Sequence, residues 1–252
     1  MTRKTWASTA IALITWAGVV TAIAVKASEP APQQTKSLPS TPERLSEMQH
    51  HFSDVVRVHE AVIRGDLPAV RAPALRVASV AVPTSVPESA APFVVALRQA
   101  GQRAADATSL EDAARSTVAM VVECAKCHRT VGVFPAVTQR RPPQIGGLLG
   151  HMQEHQLATD DMLVGLMVPS PSQWRTGADK LRAAPLRTNQ MPRDPKMTKW
   201  VRDADLRLHQ IAERAIAADT DDERARSYVD VMTTCAQCHS VHSTVWGPGR
   251  NS

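Results

Sequence analysis

The chain has 252 residues, with 29 Lys and Arg, 24 Asp and Glu, nine His and a formal charge of +5. Its 43% apolar and 21% charged content excludes a wholly disordered chain and a polytopic membrane protein. With 11 Gly and 4% aromatics it lacks the turn and strand residues of sandwiches, barrels and doubly wound sheets; the length allows one or two domains.

At the N-terminus Arg3 and Lys4 precede an uncharged stretch from Thr5 to Val25. A positive segment followed by an apolar one is the pattern of an export signal. Val25-Lys26-Ala27 suits cleavage after Ala27. The uncharged run is also close to the ~20 residues that span a bilayer. Residues 1–27 are therefore read as a signal peptide or as a membrane anchor, with residues 5–25 the possible tether. Either reading puts the remainder in the periplasm, soluble or tethered to the inner membrane, because the positive end stays inside. Without Arg3, Lys4 and Lys26, 26 basic residues face 24 acidic ones. That near balance gives no reason to expect nucleic acid as a partner. Residues 28–42, rich in Pro, Ser and Thr, read as a semi-extended linker.

From Pro42 to Arg64 apolar residues recur at Leu45, Met48, Phe52, Val55, Val58 and Val62. Spacings of three and four predict a helix. Gly65-Asp66 stops it and caps a second, over Leu67 to Ala81, with Pro73 expected to kink it. A third is predicted over Ala91 to Ala107. Ser109 with Asp112 resembles a capping box for a fourth, ending near Gly132. The second half repeats the plan. Helices are predicted from His151 to Val168, from a capping box Ser170–Gln173 with Pro171 at the first position, from Lys199 to Ala218, and from Asp222 to Ser243. The expected fold is all-α, as two tandem four-helix bundles: residues 43–141 and residues 142–252.

All four cysteines lie in two copies of one motif, Cys124-Ala-Lys-Cys127-His128 and Cys235-Ala-Gln-Cys238-His239. C-x-x-C-H is the attachment sequence of c-type haem. On a helix, positions i and i+3 share a face and can reach the two vinyl groups, and the adjacent His supplies the proximal iron ligand. Three other readings compete. A zinc module keeps its Cys pairs about 12–20 residues apart, and here 107 intervene. Structural disulfides would not call for a His after each second Cys. A thioredoxin-like pair wants a βαβ context that the chain lacks.

The repeat extends beyond the motifs. Met48 and His51 match Met152 and His155 at an offset of 104, and the motifs match at 111. A net insertion of seven residues falls in the Pro-rich stretch around Pro185 to Pro195. In an up-down-up-down bundle the start of the first helix lies beside the end of the fourth. Met48, His51, Met152 and His155 are thereby expected at the level of the motifs.

With the motif near the end of the last helix of each half, and only 13 residues after His239, the chain resembles the class II c-type cytochromes, the cytochrome c′ and c-556 family. The resemblance covers residues 43–141 and 142–252 as a tandem dihaem form. It implies two haem c groups, held by Cys124, Cys127, Cys235 and Cys238, with His128 and His239 as proximal ligands. Cytochrome c′ usually leaves the distal side without a protein ligand; the c-556 type fills it with a Met of the first helix. Here both halves offer Met and His three residues apart. His51 and His155 are the expected distal ligands, imidazole being the commonest iron ligand by type, and Met48 and Met152 the alternative.

Trp174, Trp200 and Trp246 read as core or haem-edge packing. His50, His59, His209 and His242 read as polar surface. Arg140-Arg141-Pro142-Pro143 reads as a connector whose charges could also meet haem propionates. The expected function is single-electron transfer between periplasmic or membrane redox proteins, by a carrier and not an enzyme. A gas-binding or detoxifying haem protein with an open distal site is the alternative, and a tethered redox sensor the third reading.

Overall fold

In a computed structural model of the chain, the described residues are 42–82, 86–135, 137, 145–183, 186, 191 and 193–246, with side chains from 48 to 241. The expected signal or anchor, the linker before residue 42, and the connector from Arg140 to Pro143 lie outside them. The side chains of His242 and Trp246 do too. Among the described residues there are eight α-helices and no strand, and no helix is long and apolar enough to cross a membrane.

The first four helices are α1 (Pro42–Ile63), α2 (Leu67–Ala78), α3 (Ala91–Ala105) and α4 (Leu110–Val131). Gly65 ends α1 at φ +70°, a left-handed value that a Cβ disfavours. The Asp66 carboxylate then caps α2 by accepting from Ala69 N–H at 3.1 Å. α2 runs through Pro73 and stops at Ala78, three residues short of expectation. The Ser109 hydroxyl accepts from Asp112 N–H at 3.1 Å and donates to the Asp112 carboxylate at 2.7 Å. The short Asp side chain meets the cap hydroxyl, where a Glu would reach the cap's backbone N–H. Gly132, at φ +66°, ends α4 directly after the first motif.

The second four are α5 (Gly147–Met167), α6 (Pro171–Ala183), α7 (Pro195–Ile216) and α8 (Asp221–Trp246). α5 starts four residues before His151. α7 starts four before Lys199, because Asp194 caps it, accepting from Met197 N–H at 2.9 Å, and Pro195 supplies a preset φ. Thr220 and Glu223 form a reciprocal capping box for α8. Glu223 N–H donates to the Thr220 hydroxyl at 3.2 Å, and Thr220 N–H to the Glu223 carboxylate at 3.0 Å.

Consecutive helices pack together in each set of four. α1 also touches α4, and α5 touches α8, while α1, α4, α5 and α8 carry the contacts between the sets. All eight belong to one compact unit. One continuous core draws on both sets, including Val58, Val62, Met120 and Val121 from the first and Met162, Leu166, Trp174 and Met232 from the second. Each such side chain contributes about 1.5–3 kcal/mol on full burial.

An ion pair between the sets gives the helix directions. Arg129, near the end of α4, pairs with Asp221, the first residue of α8, at 2.6 Å. The two helices pack on each other, so they run antiparallel. Asp221 and Cys235 are fourteen residues apart on α8, or about 21 Å at 1.5 Å per residue. The two motifs thus lie at opposite ends of the α4–α8 pair.

At the centre sits Tyr228, fully buried. Its hydroxyl donates to the Thr159 carbonyl at 2.8 Å and lies 2.7 Å from His59 Nε2. With the phenolic proton on Thr159, His59 Nε2–H is the donor to the phenol oxygen. The Trp174 ring meets Tyr228 edge-on at 6.1 Å, and its indole N–H donates to the Ala215 carbonyl at 2.8 Å. This corrects the surface reading of His59. It is 0% exposed, and burial pushes its pKa down to about 4. Neutral imidazole stacks on Tyr228 as an aromatic.

Candidate functional site

The two motifs occupy the last turns of α4 and the C-terminal half of α8, where i, i+3 spacing puts each Cys pair on one helical face. None of the four thiols is in a disulfide. Burial pushes Cys124 and Cys235 up to about 12. It also raises Cys127 and Cys238, the latter against a hydrogen bond from Trp200. A redox dithiol needs the opposite, a depressed thiol pKa.

Each motif His is oriented by the main chain of the other half. His128 Nδ1–H donates to the Met167 carbonyl at 3.0 Å, and His239 Nδ1–H donates to the Ile63 carbonyl at 2.6 Å. Ile63 and Met167 end α1 and α5 and match at the same offset of 104 as Met48 and Met152. The same bond is therefore made twice, from equivalent atoms. An Nδ1–H held by a carbonyl fixes the tautomer that keeps Nε2 as the metal-binding nitrogen. Burial holds the His128 pKa below its ordinary value, so its imidazole is neutral, as ligation requires.

A small cleft, with about 50 Å³ of water-accessible space and partly open to solvent, lies beside the second motif. Met152 and His155 from α5 line it together with Cys235, Cys238 and His239 from α8, and Ile63, Asp205 and Leu208. In the second half the structure thus brings the proximal and both distal candidates to one cavity. In the first half Met48 stands 38% exposed and His51 half-buried on α1.

The lining also includes a group that the sequence reading passed over. Asp205 Oδ1 lies 3.1 Å from His151 Nε2, 3.5 Å from His209 Nε2 and 3.9 Å from His155 Nε2. Asp205 Oδ2 accepts from Leu186 N–H at 3.3 Å. Burial pushes its carboxyl up. The His151 hydrogen bond, the Leu186 N–H and the neighbouring imidazoles together outweigh that and hold it below the usual carboxylate value. The signal was present in the sequence as two i, i+4 pairs, His151 with His155 and Asp205 with His209. His209, read as surface, belongs to this group.

Comparison with protein-family models, with curated proteins and with solved structures gave no match. Of the tryptophans read as packing, Trp174 is core at 2% exposure, and Trp200, 40% exposed, reaches the Cys238 thiol. His50 is exposed, as expected.

Proposed function

We propose that this chain is a dihaem c-type electron carrier, built as two four-helix bundles with one covalently attached haem each. The observation that carries the reading is the repeated bond from a motif imidazole to the end of the other half's first helix, His128 to Met167 and His239 to Ile63. Surface histidines and structural thiols have no need of a fixed Nδ1 donor. A proximal iron ligand does.

The residues present fit the group. Cys124 with Cys127, and Cys235 with Cys238, would hold the two porphyrins by thioether bonds, and His128 and His239 would hold the irons. In the second half the cleft supplies an apolar wall from Ile63, Val201 and Leu208. Bound haem supplies one-electron redox chemistry, its potential set by axial ligands and burial. The chain's own contribution is to line the second site with apolar side chains, fix the imidazole tautomers and offer Met152 or His155 on the α5 side. His51 or Met48 would play that part in the first half. Export by residues 1–27 would place the carrier in the periplasm, where other redox proteins would be its partners.

The test is acidified-acetone extraction of protein matured in the periplasm, followed by a pyridine haemochrome assay. Two haems per chain stay with the protein, and Cys235→Ser with Cys238→Ser removes one of them. Pigment that leaves with the solvent, or none at all, sinks the proposal. Ferrous spectra unchanged by carbon monoxide mark a carrier with filled axial positions; a carbon monoxide shift marks a gas-binding site instead.

A further inference from the structure

Two pairs of side chains meet across the second half. His151 and His155 stand one turn apart on α5, and Asp205 and His209 one turn apart on α7. α5 and α7 each pack on α6, but they do not pack on each other. The four side chains therefore reach across the interior from opposite corners, the position from which helical bundles build metal centres. They are enclosed. His151 and His155 are 3% and 5% exposed, and the side chains of Asp205 and His209 are 13% and 18% exposed.

Hydrogen bonds to Asp205 account for only part of the arrangement. Three imidazoles aim Nε2 at one carboxylate oxygen, and only His151, at 3.1 Å, is within hydrogen-bond reach of it. His209 Nε2 is buried without a hydrogen bond, 3.5 Å from that oxygen. The His151 and His155 rings crowd to 4.0 Å between centroids. The donor atoms of His151, His155 and Asp205 all lie within 4.8 Å of one another.

A tetrahedral cation explains the distances. Ligand bonds of 2.0–2.1 Å give a tetrahedron with edges of about 3.3 Å. The His151 and His155 nitrogens stand 3.1 and 3.9 Å from Asp205 Oδ1, either side of that edge, and His209 Nε2 lies 3.5 Å from the same oxygen. Leu186 N–H on Oδ2 supplies the outer hydrogen bond that orients a ligating carboxylate. Two imidazole nitrogens and one carboxylate oxygen, leaving a fourth position open, suit a borderline divalent cation such as zinc.

We infer that His151, His155 and Asp205 form a non-haem site for one divalent transition-metal cation, with His209 beside them and zinc as its natural probe, clamping α5 to α7. The site adjoins the cleft, since His155 and Asp205 line it. It commits His155 to the cation and leaves Met152 as the iron donor that α5 brings to the cleft.

The test uses the full mature chain, stripped with chelator and titrated with zinc by calorimetry. Zinc-edge X-ray absorption then reports the shell. The expected result is one equivalent per chain, an all-nitrogen-and-oxygen shell at about 2.0–2.1 Å, and a raised melting temperature. His151→Ala and Asp205→Asn, checked for native helix content by circular dichroism, weaken binding by more than about a hundredfold, beyond what loss of an outer partner costs. No stoichiometric zinc on the wild type overturns the site, as does binding that survives both substitutions. Sulfur at about 2.3 Å overturns it too, since the zinc would then sit on motif thiols. The haemochrome assay reads the haem proposal separately, so the two can fail one without the other.

Discussion

His239 Nδ1 lies 2.6 Å from the carbonyl oxygen of Ile63, 176 residues earlier in the chain. The proximal candidate of the second half is thus aimed by the last turn of the first half's opening helix. The matching bond from His128 to Met167 makes the dependence mutual. Neither motif has its imidazole oriented by its own half alone.

Gly65 makes that approach possible. A Cβ there would fall 2.7 Å from Ser240 N and 2.8 Å from Ala236 O, on a residue at φ +70°. Gly65→Ala is expected to cost about 2–5 kcal/mol, from left-handed strain and overpacking together. It also pushes the end of α1 off the second motif. Thermal melting reads the first effect, and the spectrum of the second haem reads the second. A variant as stable as wild type removes the close approach from the account.

Met152 and His155 both line the cleft, and they are separable. Because His155 is drawn into the Asp205 group, Met152→Ala is expected to turn the second iron high-spin. His155→Ala is expected to leave it low-spin and to weaken the zinc site. Magnetic circular dichroism of each variant decides, and the reverse pattern returns His155 to the iron.

His59 links stability to pH. Its imidazole takes a proton at about 4 when folded, against 6.5 for an ordinary solvated histidine, because it is fully buried. The unfolded chain binds that proton more readily. Stability from this group is therefore whole above pH 6.5, falls as pH drops through the window, and is lost near pH 4. The loss is about 3 kcal/mol at 1.36 kcal/mol per unit. Urea unfolding of wild type and His59→Gln at neutral and at acid pH should show this loss in the wild type alone. Parallel curves for the two proteins would assign the acid sensitivity elsewhere.

Tyr228 and His59 should act as a coupled pair. Tyr228→Phe strands the buried His59 N–H and the Thr159 carbonyl, at about 1–3 kcal/mol. With His59→Leu added, the N–H is gone, so the double variant should cost less than the sum of the singles. A double-mutant cycle with a coupling energy near zero would show that the 2.7 Å contact contributes nothing.

The sequence by itself determined the eight helices, through apolar residues recurring every three or four positions and through caps such as Asp66, Ser109 and Ser170. It showed both motifs, and the offset of 104 that pairs Met48 with Met152 and His51 with His155. It left the starts of α5 and α7 late, since their first turns carry Gly147 and Gly150 in one and Pro195 in the other, residues that read as loop. Tertiary structure alone decided what each helical face meets. Periodicity says which side of a helix is apolar but not which helix will cover it. His59, Asp205 and His209, ordinary polar residues on their own helices, acquire their roles only where α1, α5, α7 and α8 bring them to buried partners. The same holds for the carbonyls of Ile63 and Met167. Every helix ends in unpaired carbonyls, and only packing selects the two that receive an imidazole.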